Sequence, residues 1–229
     1  MKFVDAATEI ADEGGSWRTL LFRGSRCLEL NWDKGINYVG EIGGYQKHWR
    51  DVGNTSFASD LDAAVQLPND GGSWRTMLFK GDQCLVLNWD QGIRYDGKIG
   101  GYEKHWRDVG GTSFASDLDA AVQLPNDGGS WRTMLFKGDR CLVLNWDTGI
   151  QYDGRISGFQ KHWRDVGGTS FARDLDGATQ LPNDGGSWRT MLFKGDQCLL
   201  LNWDTGIQYD GPVTGYQKHW PDAYRELTS

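Results

Sequence analysis

A set of residues that suits sugar binding recurs along the chain at a spacing of 57 residues. Each copy has two Trp and one Tyr, together with an Arg, an Asn and an Asp. An indole ring can cover the C–H face of a pyranose, while the polar side chains exchange hydrogen bonds with its hydroxyls. The predicted ligand-binding residues are therefore Trp17, Arg18, Asn31, Trp32, Asp33, Tyr38, Trp74, Arg75, Asn88, Trp89, Asp90, Tyr95, Trp131, Arg132, Asn145, Trp146, Asp147, Tyr152, Trp188, Arg189, Asn202, Trp203, Asp204 and Tyr209.

A structural interpretation of the same residues stays open. Trp89 and its equivalents fit a hydrophobic core, and Asn88 with Asp90 fits an Asx turn that closes a hairpin. The two interpretations differ in what they require of the side chains, because a ligand needs them accessible and a turn does not.

A second repeated group is a Lys-His-Trp motif, which places one His in each copy. The four residues are His48, His105, His162 and His219. A single His per repeat cannot form one shared metal site if the four lie on a rim. The alternatives are that the His caps a helical turn while the Trp fills the space between repeats, or that the motif lines a sugar pocket between repeats.

Cysteine and motif content argue against redox, zinc and enzyme chemistry. Cys27, Cys84, Cys141 and Cys198 occur once per copy, so they make neither a zinc ribbon nor a CxxC pair, and we expect buried thiols in a reducing compartment. The chain has no GxSxG, HExxH or P-loop motif. Every reactive-looking residue occurs four times, whereas an active site is usually unique, so we expect a protein that is not an enzyme.

Each copy predicts four short strands joined by tight turns. In the second copy these are a strand after Asp62, then residues 74–81, 84–89 and a more polar strand over about 92–99. A linker with about one helical turn leads to the next copy. If the first strand runs upward, the turns after the first and third strands lie at the top, and the second turn and the Lys-His-Trp linker lie at the bottom.

Four such units predict an all-β fold, namely a four-bladed β-propeller with four strands per blade. An open stack is the alternative, but neither end has a polar capping unit. The predicted single domain spans 1–229, with blades at 1–61, 62–118, 119–175 and 176–229.

The second and third blades are almost identical. They differ at eight positions, nearly all of them polar exchanges of the surface type: Gln83/Arg140, Gln91/Thr148, Arg94/Gln151, Lys98/Arg155, Gly100/Ser157, Tyr102/Phe159, Glu103/Gln160 and Ser116/Arg173. The first blade has diverged further, yet it keeps the repeated aromatic and polar set.

Charge and hydropathy limit the partners. The net charge is −7 and no basic cluster stands out, which argues against nucleic acid. No 18-residue apolar run exists and the first residues lack a secretory signal core, so we expect no membrane insertion and a soluble protein, cytoplasmic or secreted by a non-classical route.

The repeat resembles the hemopexin-like repeat. Asp62-Ala63-Ala64, Phe79-Lys80-Gly81 and Gly101-Tyr102-Glu103-Lys104 stand where that family has DAA, FKG and GYPK, and the resemblance covers the whole chain. Cys84 replaces the expected aromatic, Asn88 replaces the usual acidic residue, and the disulfide between first and last blades is absent. The family implies a central channel in which backbone carbonyls beside Asp5, Asp62, Asp119 and Asp176 hold a structural Ca²⁺ or Na⁺.

Family members include haem carriers, protease substrate-binding domains and seed albumins or lectins, so the resemblance leaves function open. The residues favour a multivalent lectin with up to four equivalent sites for glycans or glycoproteins, monomeric or a small homo-oligomer, with no required cofactor. The alternative is a carrier or storage albumin that binds haem, with one His as axial ligand, or a polyamine at the channel mouth. A protein-interaction module without a small ligand is the third hypothesis.

Overall fold

The strands form four separate antiparallel sheets, each of four consecutive strands, in the computed structural model of the chain. The structure describes residues 1–13, 15–45, 49–70 and 72–229. The first strands of the four sheets adjoin one another in a ring, in the order β1, β5, β9, β13. The predicted all-β class and four-bladed propeller are thus confirmed, and each predicted blade range contains one sheet.

The strands are nearly equal in length from blade to blade. They are β1 Ala6–Glu13, β2 Ser16–Arg23, β3 Arg26–Asn31, β4 Gly35–Glu41, β5 Ala63–Asp70, β6 Ser73–Lys80, β7 Gln83–Asn88, β8 Gly92–Lys98, β9 Ala120–Asp127, β10 Ser130–Lys137, β11 Arg140–Asn145, β12 Gly149–Arg155, β13 Gly177–Asp184, β14 Ser187–Lys194, β15 Gln197–Asn202 and β16 Gly206–Pro212.

Short helices occupy the linkers. The α-helices are α1 Trp106–Val109, α2 Lys161–Val166 and α3 Trp220–Thr228, and the 3₁₀ helices are Ile42–Gly44, Trp49–Asn54, Ser56–Ala58, Ile99–Gly101, Ser113–Ala115, Ile156–Gly158, Ser170–Ala172 and Val213–Gly215. None of the helices in these described ranges is long and apolar enough to cross a membrane.

The hydrophobic core lies in the seams between blades. Successive residues of a strand point to opposite faces of its sheet, so each blade offers one face to the blade before it and the other to the blade after it. Phe79, Cys84 and Trp106 of the second blade pack against Leu135 and Leu142 of the third. The four Cys are free and buried, as expected, and burial raises the pKa of each thiol to about 12.

The ring closes without a disulfide through the first residues of the chain. In the first three blades the linker's last turn donates a backbone N–H to the second hairpin, as Asp60 does to Gly24 O at 2.9 Å. In the fourth blade Phe3 N donates to Gly195 O at 2.8 Å instead. The Phe3 ring is fully buried, with its centroid 5.3 Å from that of Tyr224 in α3.

Candidate functional site

The Asn at the end of each third strand builds the following turn. Asn88 Oδ1 accepts hydrogen bonds from Ser73 Oγ at 2.8 Å, Asp90 N at 3.0 Å and Gln91 N at 2.9 Å. The side chain is 3% exposed, and its three equivalents are equally buried. The structure confirms the Asx-turn interpretation for these Asn, and a ligand would reach them only if the turn opened.

The Trp that follows this Asn is half-buried, and its indole N–H already has a hydrogen-bond partner. The Trp89 indole N–H donates to Thr76 Oγ1 at 3.2 Å, and its ring packs edge-on against buried Trp49 of the preceding linker. Trp32, Trp146 and Trp203 make the same bond to the equivalent Thr on the second strand of their own blade. Asp90 and its equivalents beside these rings are exposed. The accessible part of each Trp is therefore apolar, with a carboxylate next to it.

The predicted Arg lies in a different seam from the Trp of its own blade. Arg75 and Asn88 are paired across β6 and β7 and share the face toward the third blade. The Arg75 guanidinium lies over Trp146 of that blade, 5.9 Å from the ring centroid. Arg75 also donates to Pro68 O and Tyr102 Oη, both at 2.9 Å. The six residues predicted as one site per blade thus divide between two seams.

The first blade replaces this arrangement with a buried ion pair. Arg18 Nη1 lies 3.1 Å from Glu29 Oε1, and both side chains are nearly inaccessible. Glu29 also accepts a hydrogen bond from Tyr45 Oη at 2.7 Å. Burial and the neighbouring carboxylate raise the pKa of the Tyr45 hydroxyl. The other blades have Val86, Val143 and Leu200 at this position, so the first seam is chemically distinct.

The Tyr on each fourth strand does not join the turn at the strand's upper end. Tyr95 Oη donates to Lys98 O at 2.9 Å, three residues further along the strand. Its ring centroid lies 5.2 Å from that of Tyr102. Tyr38, Tyr152 and Tyr209 make the same bond at the lower end of their strands.

The Lys-His-Trp linker reaches the upper turn of the next blade, which corrects the prediction that it lies at the opposite end. A Cβ on Gly149 would lie 2.8 Å from Asp108 Oδ2 and 3.6 Å from His105 Nδ1. The reason is the linker's Trp: Trp106 is fully buried between the sheets, edge-on to Trp146 at 5.9 Å, and carries its neighbours upward. Filling of the seam by Trp is confirmed.

His105 and His219 precede their helices but their side chains make no cap hydrogen bond, so the capping interpretation is wrong for these two. The same approach to a glycine recurs at the other seams. His162 and Asp165 lie by Gly206, His219 lies by Gly35, and Asp51 lies by Gly92. His48 is outside the described residues.

We call this arrangement the seam site. It consists of the half-buried Trp, the exposed Asp and the Gly of one blade's third turn, with the His and Asp of the preceding linker. Between the second and third blades its residues are His105, Asp108, Trp146, Asp147 and Gly149. Gly149 has φ of 87°, which favours glycine, and a Cβ there would require the Asp108 carboxylate to shift. The predicted ligand-binding residues were grouped by blade and left out the two partners from the linker; only the alternative of a sugar pocket between repeats included the linker motif.

The Asp residues before the inner strands bind the second hairpin of their own blade. Asp62 Oδ2 accepts a hydrogen bond from Gly81 N at 2.6 Å, and Asp5, Asp119 and Asp176 do the same in their blades. At the channel mouth Asp5, Asp62 and Asp119 help to line a cavity of about 300 Å³, together with Lys2, Asp60 and Asp117. Burial raises the pKa of the Asp62 and Asp119 carboxyls.

The predicted channel cation stays a prediction. Within the described residues, no three His, Cys, Asp or Glu side chains converge on one point that could hold a metal ion. The carboxylates at the mouth offer the oxygen ligands that hard cations prefer. Those of the four Asp before the inner strands each accept a hydrogen bond from their own hairpin. Backbone carbonyls beside Asp5, Asp62, Asp119 and Asp176 are the donors that the resemblance implies.

Comparison with known proteins identifies the fold. No family model and no curated protein sequence matches the chain. Among solved structures, a hemopexin-fold protein from cow pea matches with a TM-score of 0.71 and 16% identity, over 100% of this chain and 98% of that one. A plant lectin with two metal-binding sites from Cicer arietinum has a TM-score of 0.66 and 19% identity, covering 98% and 96%.

A plant albumin from Cicer arietinum that shows hemagglutination matches with a TM-score of 0.67 and 18% identity, over 98% of this chain and 96% of that chain. At these identities the likeness concerns the fold alone. It agrees with the DAA, FKG and GYPK-like motifs of the repeat. The chain has the hemopexin-like, four-bladed propeller fold found in plant seed albumins and lectins.

Proposed function

We propose that the protein is a lectin without enzymatic activity, which binds glycans at up to four seam sites. The observation that carries the proposal is the repetition of a half-buried Trp beside an exposed Asp at the same turn of every blade. A buried core needs Trp106 and its equivalents, but it does not need the exposed carboxylate of Asp147 or the nearby Asp108. The lectin and the hemagglutinating albumin among the similar structures support this choice.

The seam site has the chemistry of a weak sugar site. In the site between the second and third blades, the apolar surface of Trp146 suits a pyranose C–H face. Asp108 and Asp147 can accept hydrogen bonds from hydroxyls, and His105 can donate or accept one. Several such sites on one rigid ring raise the avidity for clustered glycans by roughly 10²–10⁴ over a single site, without any new contact.

A glycan array, read with and without a chelator, tests the proposal. We expect binding to a coherent set of terminal sugars, and the chelator arm tells whether a cation touches the ligand. The variant Asp90→Asn/Asp147→Asn/Asp204→Asn removes the carboxylate from three of the four seam sites, so it should lose the avidity of multivalent binding. It should stay folded, because these side chains are exposed. Replacing Trp89 and its equivalents by Ala should abolish binding. A blank array from folded protein refutes the proposal.

A matched control exists at the opposite end of the blades. Asp82, Asp139 and Asp196 are exposed residues of the second hairpin turns, one in each of the second, third and fourth blades. Changing these three to Asn removes the same charge far from the seam sites, so glycan binding should be retained. Equal losses in the two triple variants would mean that charge, and not the seam site, governs binding.

The acidic channel mouth favours a second candidate, a carrier or storage albumin. The cavity there has several Asp and one Lys, so a polyamine fits its charge better than an anionic haem. Calorimetric titration separates the candidates, since a channel ligand binds once per chain and a seam ligand several times. Spermine binding near one per chain, with no sugar bound, would favour the carrier.

A further inference from the structure

The few differences between the second and third blades are concentrated in one place. Three of the eight differing positions, Lys98/Arg155, Gly100/Ser157 and Ser116/Arg173, line equivalent grooves at the lower outer edge of the two blades. The fourth differing position, Gln83/Arg140, lies opposite Lys98/Arg155 on the adjacent strand. Half of the exchanges between two otherwise matching repeats thus surround one groove.

The exchanges make the groove of the third blade smaller and more polar. In the second blade it has a volume of about 520 Å³ and a wall formed by Gly100 against Gly110. In the third blade Ser157 replaces the first of these glycines, and the volume is about 260 Å³. The Ser157 hydroxyl therefore lines a groove whose volume suits a small ligand.

The same exchanges concentrate arginine around this groove. Arg140 and Arg155 lie directly opposite each other on β11 and β12, so they share one face. Like charges placed directly opposite are destabilising in a sheet. The other blades avoid this, with Gln83/Lys98, Arg26/Glu41 and Gln197/Pro212 as the corresponding pairs.

Nearby carboxylates compensate the two arginines in part. Arg140 forms an ion pair with Asp153 at 2.5 Å, whereas Arg155 Nε is 3.6 Å from Asp139 Oδ2 in an exposed pair. Arg173 also lines the groove and adds a third cation. Its backbone carbonyl accepts a hydrogen bond from Lys194 Nζ at 2.6 Å. Exposed pairs of this kind contribute little to stability, so an anion can compete for the guanidinium groups.

We propose that the groove of the third blade binds one tetrahedral oxyanion per chain, a phosphate or a sulfate group. Arg155, Arg173 and Ser157 are its ligands, and Arg140 supplies charge from the adjoining strand. A planar guanidinium matches two oxygens of such an anion, so the change from Lys98 to Arg155 is not neutral for this purpose. The site lies at the end of the blade away from the seam sites and is independent of sugar binding there.

The chain supplies its own test variants. Arg140→Gln/Arg155→Lys/Ser157→Gly/Arg173→Ser rewrites the groove with residues that the second blade already carries. The reverse set, Gln83→Arg/Lys98→Arg/Gly100→Ser/Ser116→Arg, builds a second copy. Calorimetric titration of the intact protein with inorganic phosphate, inorganic sulfate and a sugar monophosphate should give one site in the original chain. We expect at least a tenfold loss of affinity in the first variant and two sites in the second.

A charge control separates a formed site from general attraction. Lys34→Gln/Arg94→Gln removes two positive charges at the upper turns, again with residues found at equivalent positions in other blades. This variant should bind phosphate as the original chain does. Equal binding by the original chain and the rewritten groove, or an equal loss in the charge control, would overturn the proposal. Tighter binding of the sugar monophosphate than of inorganic phosphate would identify an ester as the preferred source.

Discussion

Glu9 places a carboxyl group where the other inner strands have an amide, and it yields a sharp prediction. The other blades have Gln66, Gln123 and Gln180 at its position. Glu9 is 3% exposed, Oε2 accepts a hydrogen bond from Gln180 N at 3.3 Å, and Oε1 has no partner in the described part of the chain. Burial raises the pKa of the Glu9 carboxyl to about 7.

The sign of the effect follows from proton binding. The folded protein holds the Glu9 proton more tightly than the unfolded chain, so stability is greatest below the unfolded pKa of 4.5 and falls as the pH rises to about 7. Each pKa unit corresponds to about 1.4 kcal/mol, so the ionised side chain costs about 3 kcal/mol above neutral pH. Glu9→Gln removes this cost, because the amide stays neutral.

Thermal unfolding of the original chain and Glu9→Gln at pH 4.5 and pH 8 measures the effect. We expect nearly equal Tm values at pH 4.5 and a variant that is more stable at pH 8 by roughly 6–12 °C, given about 2–4 °C per kcal/mol for a chain of this size. The control is Glu103→Gln, an exposed carboxyl whose counterpart in the third blade is Gln160; it should leave both values within about 1 °C. A gain that is equal at the two pH values, or a loss at pH 8, refutes the reasoning.

Three further substitutions and one labelling reaction probe the fold directly. Trp106→Ala empties a fully buried seam position, so urea unfolding should show a loss of about 3–5 kcal/mol, and a loss below 1 would contradict its role. Phe3→Ala removes a fully buried ring from the seam that closes the propeller, so urea unfolding should again show a loss of about 3–5 kcal/mol. A loss below about 1 kcal/mol would mean that the backbone bond alone closes the ring. Asp62→Ala removes the 2.6 Å bond to Gly81 N; we expect about 1–2 kcal/mol and faster amide exchange at Gly81, and unchanged exchange would argue against the bond. Cys84 should resist alkylation at pH 8 until the protein unfolds, because burial raises its thiol pKa to about 12; rapid labelling of folded protein would contradict this.

The architecture could be predicted from the sequence because strand and turn signals repeat with one period. The residues 74–81 and 84–89 predicted two strands, and the structure has β6 and β7 at nearly these bounds. The turn between them requires Gly81, whose φ is 58°. Four copies of one local pattern leave few folds that bury both faces of every sheet.

The site was less predictable because it is assembled from two blades. Trp89 and Arg75 are close in sequence and belong to one sheet, but strand parity turns them toward different seams. The approach of Asp108 to Gly149 joins residues 41 positions apart, and it depends on how deeply Trp106 is buried. A repeat pattern fixes what each blade contains, but not how far a linker penetrates between blades.

Ring closure therefore determines how many seam sites the protein can present. Three seams join blades that are consecutive in sequence, whereas the fourth brings His219 to the Gly35 turn of the first blade. Three contacts hold that seam. Phe3 N donates a hydrogen bond to Gly195 O, and Arg23 Nη1 donates one to Leu227 O at 3.2 Å. Lys2 Nζ forms an ion pair with Asp176 at 3.0 Å. An open array of the same blades would have three seams instead of four. Because multivalent binding depends on how many sites can engage together, the proposed lectin function requires the contacts that close the ring for its fourth site.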